Sequence, residues 1–136
     1  MGARQRKYRA FVIGISAVIF LMACRVDPLM AGDWGQVAWV DDGDTILLVD
    51  GRRIRYIGIN APEIDHPEYG RNAEPLAYEA LARNKRLVYR RRIRLEFDTE
   101  KKDRYERWLA YVFLPDGRFV NRILLEAGLA YVLPRY

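Results

Sequence analysis

The dipeptide Asp50-Gly51 constrains this chain more than any other feature of it. It stands between two β-type runs, Thr45 to Val49 and Arg52 to Ile59, and supplies the positive φ that a two-residue hairpin turn demands. Ahead of the hairpin, Gln36 to Val40 reads as a further short strand, set off by the turn Asp41-Asp42-Gly43-Asp44, so a three-stranded meander is expected. After Asn60-Ala61-Pro62-Glu63 comes a loop containing His66-Pro67 and Gly70. A helix is predicted to open near Pro75, a residue suited to a first helical turn. Its stripe of Leu76, Ala77, Ala80, Leu81, Leu87 and Val88 has the spacing of a core-facing surface.

Ile93, Leu95 and Phe97 alternate with charged residues, and Leu109 to Leu114 is continuously apolar or aromatic. Two more strands follow from this, joined by the charged segment Asp98 to Trp108. Beyond the turn Pro115-Asp116-Gly117, the spacing of Val120, Ile123, Leu124 and Ala127 describes a short amphipathic helix that stops at Gly128. Five short strands, with one helix after the third and another after the fifth, predict a mainly β fold with some α. A small five-stranded closed barrel of the OB type accommodates that order of elements.

The first residues belong to a different kind of segment. Arg4, Arg6, Lys7 and Arg9 precede an apolar and small-residue run from Ala10 to Ala23, the pattern of an export signal. The run is shorter than the ~20 residues a helix needs to cross a bilayer. It closes on Leu21-Met22-Ala23-Cys24, which resembles the lipobox of bacterial lipoproteins, with Cys24 the residue to be lipidated; an ordinary cleavage site such as Leu29-Met30-Ala31 is the alternative. The expected organisation is therefore residues 1–23 as signal, 24–35 as tether and 36–136 as the folded domain, in the cell envelope or outside the cell. Residues 1–23 hold four of the 23 Lys and Arg and none of the 18 Asp and Glu, so the remainder carries 19 − 18 = +1. General basicity is thus no argument for a nucleic-acid partner. The one basic cluster, Arg83, Lys85, Arg86, Arg90, Arg91, Arg92 and Arg94, reads as a solvated face.

The side-chain inventory narrows the chemistry. With one histidine, His66, and one cysteine, Cys24, zinc sites built on Cys and His and catalysis by a histidine pair are excluded. What remains is a chemistry of carboxylates and arginines, with room for a hard cation that takes oxygen ligands. Asp42, Asp44 and Glu63 bracket a hairpin whose second strand carries Arg55, and a guanidinium fork pairs bidentately with phosphate.

Three stretches then combine. Asp42-Gly43-Asp44-Thr45, Arg55 through Glu63 (RYIGINAPE) and Asp103 through Tyr111 (DRYERWLAY) resemble the signature segments of the staphylococcal nuclease family, and Gly117 to Ala130 resembles its following turn and helix. The resemblance implies an OB-fold barrel that hydrolyses DNA or RNA with Ca²⁺. It implies Asp44, Asn60 and the carbonyl of Ala61 as metal ligands, Glu63 as general base, and Arg55 and Arg107 as the groups that bind the scissile phosphate. Tyr105 and Arg104 would help hold a phosphate of the bound nucleotide. No protein partner is evident, and a monomer is expected. A non-catalytic nucleic-acid-binding OB module is the alternative reading.

Taken singly, each segment has a plainer reading. Asp42-Gly43-Asp44 by itself is a turn. Arg55 by itself is an exposed residue pairing across the hairpin, Arg107 closes a salt bridge with Asp103 or Glu106, and His66 is a loop residue. Strand alternation puts Arg55 and Asn60 on opposite faces, so both reach one site only through a bend, expected at Gly58. Two positions depart from the family pattern: Asn60 where aspartate is frequent, and Glu106 where glycine is common.

Overall fold

The computed structural model describes residues 32–134. The export signal and Cys24 lie outside the described residues. Strands β1 (Asp33–Val40), β2 (Thr45–Leu48) and β3 (Arg53–Tyr56) form the meander; a two-residue strand β4 (Ile59–Asn60) precedes helix α1 (Ala77–Val88). Strands β5 (Arg92–Lys102) and β6 (Trp108–Phe113) follow, then helix α2 (Val120–Glu126) and a second two-residue strand, β7 (Tyr131–Val132). The barrel closes in the order β1-β2-β3-β6-β5, with β5 back against β1. Every neighbouring pair is antiparallel except β3 and β6, where Ile54, Arg55 and Tyr56 face Trp108, Leu109 and Ala110 in parallel register. This is the expected five-stranded barrel with a helix after its third and fifth strands. Among the described residues no helix is long and apolar enough to cross a membrane.

Alternation fills the barrel. Ile46, Leu48, Ile54, Tyr56, Ile93, Leu95 and Val112 are buried in one cluster, closed by Leu87 and Val88 of α1 and by Val120 and Leu124 of α2. Two buried amides tie the closing helices to the barrel. Asn84 of α1 accepts from the Tyr56 hydroxyl (2.9 Å) and donates to the Asp42 carbonyl (3.0 Å). Asn121 of α2 accepts from the Val112 N–H (3.2 Å) and donates to the Ile57 carbonyl (2.8 Å). The expected stop of α2 is made by two bonds, Gly128 N–H to Leu125 and Leu129 N–H to Leu124.

Several expectations need correction. The hairpin loop is one residue longer than a two-residue turn: Leu48 N–H bonds the Arg52 carbonyl, and of the loop residues only Gly51 has positive φ (89°). The mirror-image turn would require positive φ at Asp50 as well, and Asp50 instead uses its carboxylate to accept from the Arg52 N–H. β1 begins at Asp33, because Asp33 to Gln36 pair with Leu95 to Arg92 of β5, so part of the presumed tether is barrel. Pro75 lies before α1, and Leu76, placed in the core stripe, is half exposed with φ 67° at the helix entrance. The Asp98–Trp108 connection is largely strand, since β5 runs on to Lys102. The basic cluster is not simply solvated either: Arg94 is buried against Phe113, and Lys85 and Arg92 lie over Trp39 and Trp34.

Replacing Asn84 by alanine strips the buried Tyr56 hydroxyl of its acceptor and the Asp42 carbonyl of a donor. A loss of about 2 kcal/mol is expected, read as a lower urea midpoint with an unchanged slope; a midpoint within error of the parent's would show that this tie carries little.

Candidate active site

Ile54 and Tyr56 point into the core, which leaves Arg55 on the other face of β3. Arg55 is nonetheless only 5% exposed, so it is not the surface cross-hairpin residue of the plainer reading. Its Nη1 donates to the carbonyls of Tyr56 (2.9 Å) and Ile59 (2.8 Å) and pairs with Asp44 Oδ2 at 3.1 Å. Its Nη2 donates to Asn60 Oδ1 at 2.7 Å. Chain reversal makes this possible: Gly58, at φ 76°, breaks the run between β3 and β4 and returns Asn60 to the Arg55 side. The bend expected there is present.

Asp42-Gly43-Asp44 is more than a turn. Asp44 is buried, with Oδ2 accepting from the Ala61 N–H (2.6 Å) and Oδ1 from the Thr45 hydroxyl (3.1 Å), while Asp42 Oδ1 accepts from the Asp44 N–H (2.8 Å). A Cβ at Gly43 would stand 2.5 Å from Ala61 Cβ and 2.8 Å from Ala80 Cβ, so only glycine lets this segment pack between the strand and α1. Burial, and then the neighbouring Asp42 carboxylate, push Asp44 up to about 7 even with Arg55 beside it. Glu63, at the rim, is raised as well, first by partial burial and next by Asp42, with Arg55 opposing.

Three carboxylates, Asp42, Asp44 and Glu63, thus lie about one buried guanidinium. A hard cation fits such a site: the donors of Asp44, Asn60 and the Ala61 carbonyl are all oxygen. Among the described residues no cluster of three acidic, His or Cys side chains is disposed for a metal, and these oxygens accept from Arg55, the Ala61 N–H and the Asn60 amide.

Arg107 is positioned by Asp103. The Asp103 carboxylate accepts from the N–H groups of Tyr105 (2.9 Å) and Arg107 (3.0 Å), and from Arg107 Nε (2.8 Å), and pairs with Nη2 at 2.7 Å. Partial burial would raise this carboxyl, but those Arg107 and Tyr105 donors hold it below the usual range. The salt bridge of the plainer reading thus exists and shapes the turn. Within it Glu106 has φ 63°, a left-handed conformation that explains why glycine suits this position, and its carboxylate reaches away to Lys102 Nζ (2.9 Å).

Two clefts meet at Arg107. One holds Arg55, Asn60, Arg104, Tyr105 and Arg107; the other holds Asp42, Thr45, Glu63, His66 and Arg107; each encloses about 480 Å³. Asp44, Asn60, Ala61 and Arg55 form one bonded cluster, whereas Glu63 is not bonded to either arginine. Tyr105 is 63% exposed, with the guanidinium groups of Arg104 and Arg107 over its ring. His66 is at the loop edge with Glu68. Two contributors are not legible in the sequence. Glu74 grips the backbone of Glu63, its carboxylate accepting from the Glu63 N–H (3.1 Å) and its own N–H donating to the Glu63 carbonyl (2.9 Å). The Tyr131 hydroxyl accepts from Asn60 Nδ2 at 2.6 Å, across 71 residues of sequence, a separation over which no local pattern gives a signal.

Residues 53–136 match the family described as Staphylococcal nuclease homologue. The chain is 40% identical over 95 residues to endonuclease YncB of Bacillus subtilis, covering 67% of this chain and 44% of that protein. It is 36% identical over 125 residues to an uncharacterized endonuclease of Escherichia coli O157:H7, covering 90% of this chain and 74% of the relative. With a thermonuclease of Staphylococcus intermedius it shares 43% identity over 94 residues, 67% of this chain and 54% of that protein.

Replacing Glu106 by glycine removes the left-handed strain at the loss of one exposed ion pair. The variant is expected to be more stable by roughly 0.5–1 kcal/mol, measured as a rise in thermal midpoint; a fall would mean that the Lys102 contact outweighs the strain.

Proposed function

We propose that this chain, which belongs to the staphylococcal nuclease homologue family, hydrolyses phosphodiester bonds in DNA or RNA, with Arg55, Arg107 and Glu63 as its catalytic groups and Ca²⁺ as its cofactor. The observation that carries this reading is Arg107 at the junction of two clefts, one walled by Arg55 and the other by Glu63. A phosphodiester lying against Arg107 would have a second guanidinium on one side and a carboxylate base on the other. The names of the relatives, thermonuclease and endonuclease, agree with it.

In this reading Glu63 takes a proton from a water whose oxygen attacks phosphorus, the bond from phosphorus to the departing sugar oxygen breaks, and that oxygen takes up a proton from solvent water. Arg55 and Arg107 hold the non-bridging oxygens, where charge accumulates as the new bond forms. Arg55 Nη2 donates to Asn60 Oδ1, and in this reading substrate takes over that bond. Asp44, Asn60 and the Ala61 carbonyl would hold Ca²⁺, which when bound supplies positive charge to the phosphate and the attacking water. Asn60 brings an amide oxygen without charge, so Asn60→Asp is expected to lower the half-saturating calcium concentration.

The decisive experiment is cleavage of single-stranded DNA by the purified protein with Ca²⁺ or with EDTA, beside Glu63→Gln. Activity is expected to vanish in EDTA and to fall at least 100-fold in the variant. Cleavage undiminished by either change would sink the mechanism, and binding without cleavage would mark a non-catalytic module. Glu63 works as a base only when ionised, and its carboxyl is raised, so the rate is expected to fall on acidification with a midpoint above the ordinary glutamate range. An acid limb at or below that range would contradict the assignment.

We further infer export and lipid anchoring through Cys24, supported by the basic and apolar run that precedes it. Cys24→Ala is expected to abolish incorporation of labelled palmitate and to release the protein from membranes; labelling that survives the substitution would refute the anchor.

A further inference from the structure

Trp39 faces the wrong way for a residue two positions from a core valine. Val37 pairs with Leu48 and Trp39 with Leu47, so β1 advances two residues while β2 advances one, and this bulge breaks the alternation. Val37 and Val40 both point inward as a result, and Trp39 is turned out, 48% exposed. Its ring is held there: Lys85 Nζ lies 4.7 Å from the ring centroid, and Tyr89 meets it edge-on at 6.1 Å and 88°. The bulge thus places a braced, half-exposed indole in the wall of the cleft that also contains Thr45, Glu63, Ile64, His66 and Arg107.

That cleft lies across Arg107 from the one holding Tyr105. A strand whose phosphate rests on Arg107 would meet an exposed aromatic ring on either side. Carboxylates of Asp41, Asp42 and Glu63 wall the Trp39 side, and Arg53 is engaged there with Asp41 at 3.0 Å. Such a wall disfavours a further phosphate and suits an uncharged base, which every nucleotide can present to a ring face.

We propose that the cleft on the Glu63 side of Arg107 is a second nucleotide subsite in which Trp39 is the stacking platform for the base. The proposal rests on the hydrolytic reading above and extends it to a nucleotide next to the one beside Tyr105. The subsite makes length matter: a longer single strand fills both clefts, and a single nucleoside whose phosphate carries only a methyl ester fills one of them.

The test uses the full chain with Ca²⁺ and compares kcat/KM on a nucleoside methyl phosphate, which has one base, and on a single-stranded oligonucleotide of six nucleotides. The parent is expected to favour the longer substrate. In Trp39→Ala and Trp39→Leu that advantage is expected to shrink about 10-fold, the leucine keeping apolar bulk against Tyr89, while Trp39→Tyr restores most of it. A similar proportional loss on both lengths would reveal a role in folding and overturn the subsite, as would variants that keep the full advantage of length. A parent that cuts neither substrate would instead overturn the hydrolytic reading and the subsite with it.

Discussion

The buried guanidinium of Arg55 is the interaction on which the rest of the site depends. One side chain bonds two backbone carbonyls of its own return loop, an amide from β4 and a carboxylate from the β1–β2 turn. A buried charge is tolerated only where its donors are met, and here the acceptors come from the Tyr56–Asn60 return and from the β1–β2 turn. The guanidinium therefore fixes the Gly58 reversal, the place of Asn60 and the seat of Asp44 together. Removing it would leave Asp44 buried without its cation, with the Asp42 carboxylate still close.

Carboxylates crowd this site even with Arg55 in place. Burial disfavours ionisation of both Asp44 and Glu63, and the Asp42 carboxylate adds to the effect. Carboxylates gathered in this way around one buried guanidinium are an arrangement typical of functional sites. The 103–107 turn shows the same pattern in its backbone. Asp103 collects donors from two N–H groups and the Arg107 side chain, and the turn this creates carries a glutamate in a left-handed conformation.

Where the sequence spoke clearly, a local rule was enough. Period-two runs gave the barrel strands, the apolar stripe gave α1, and Gly58 followed from parity, since Arg55 and Asn60 are an odd number of positions apart. Where it misled, two local forces competed. Asp50-Gly51 suits a two-residue turn, yet the Asp50 carboxylate closes onto the Arg52 N–H and lengthens the loop. Pro75 suits a first helical turn, yet Leu76 adopts a left-handed conformation after it and α1 begins later. The bulge in β1 has no signal of its own in the sequence, because an extra residue in one strand is defined only by its partner.

The sequence by itself determined the chemistry available: arginines and carboxylates in three ordered segments, one histidine, one cysteine, and an apolar pattern that a small barrel can bury. Tertiary structure alone decided how those groups meet. Arg107 joining two clefts, Glu74 gripping the backbone of Glu63, and the Tyr131 hydroxyl on Asn60 are contacts between segments far apart in the chain or made by loops without period. Hydrophobic period reports which side of an element is buried, and it carries no information about which polar groups on the other side converge once the barrel has closed.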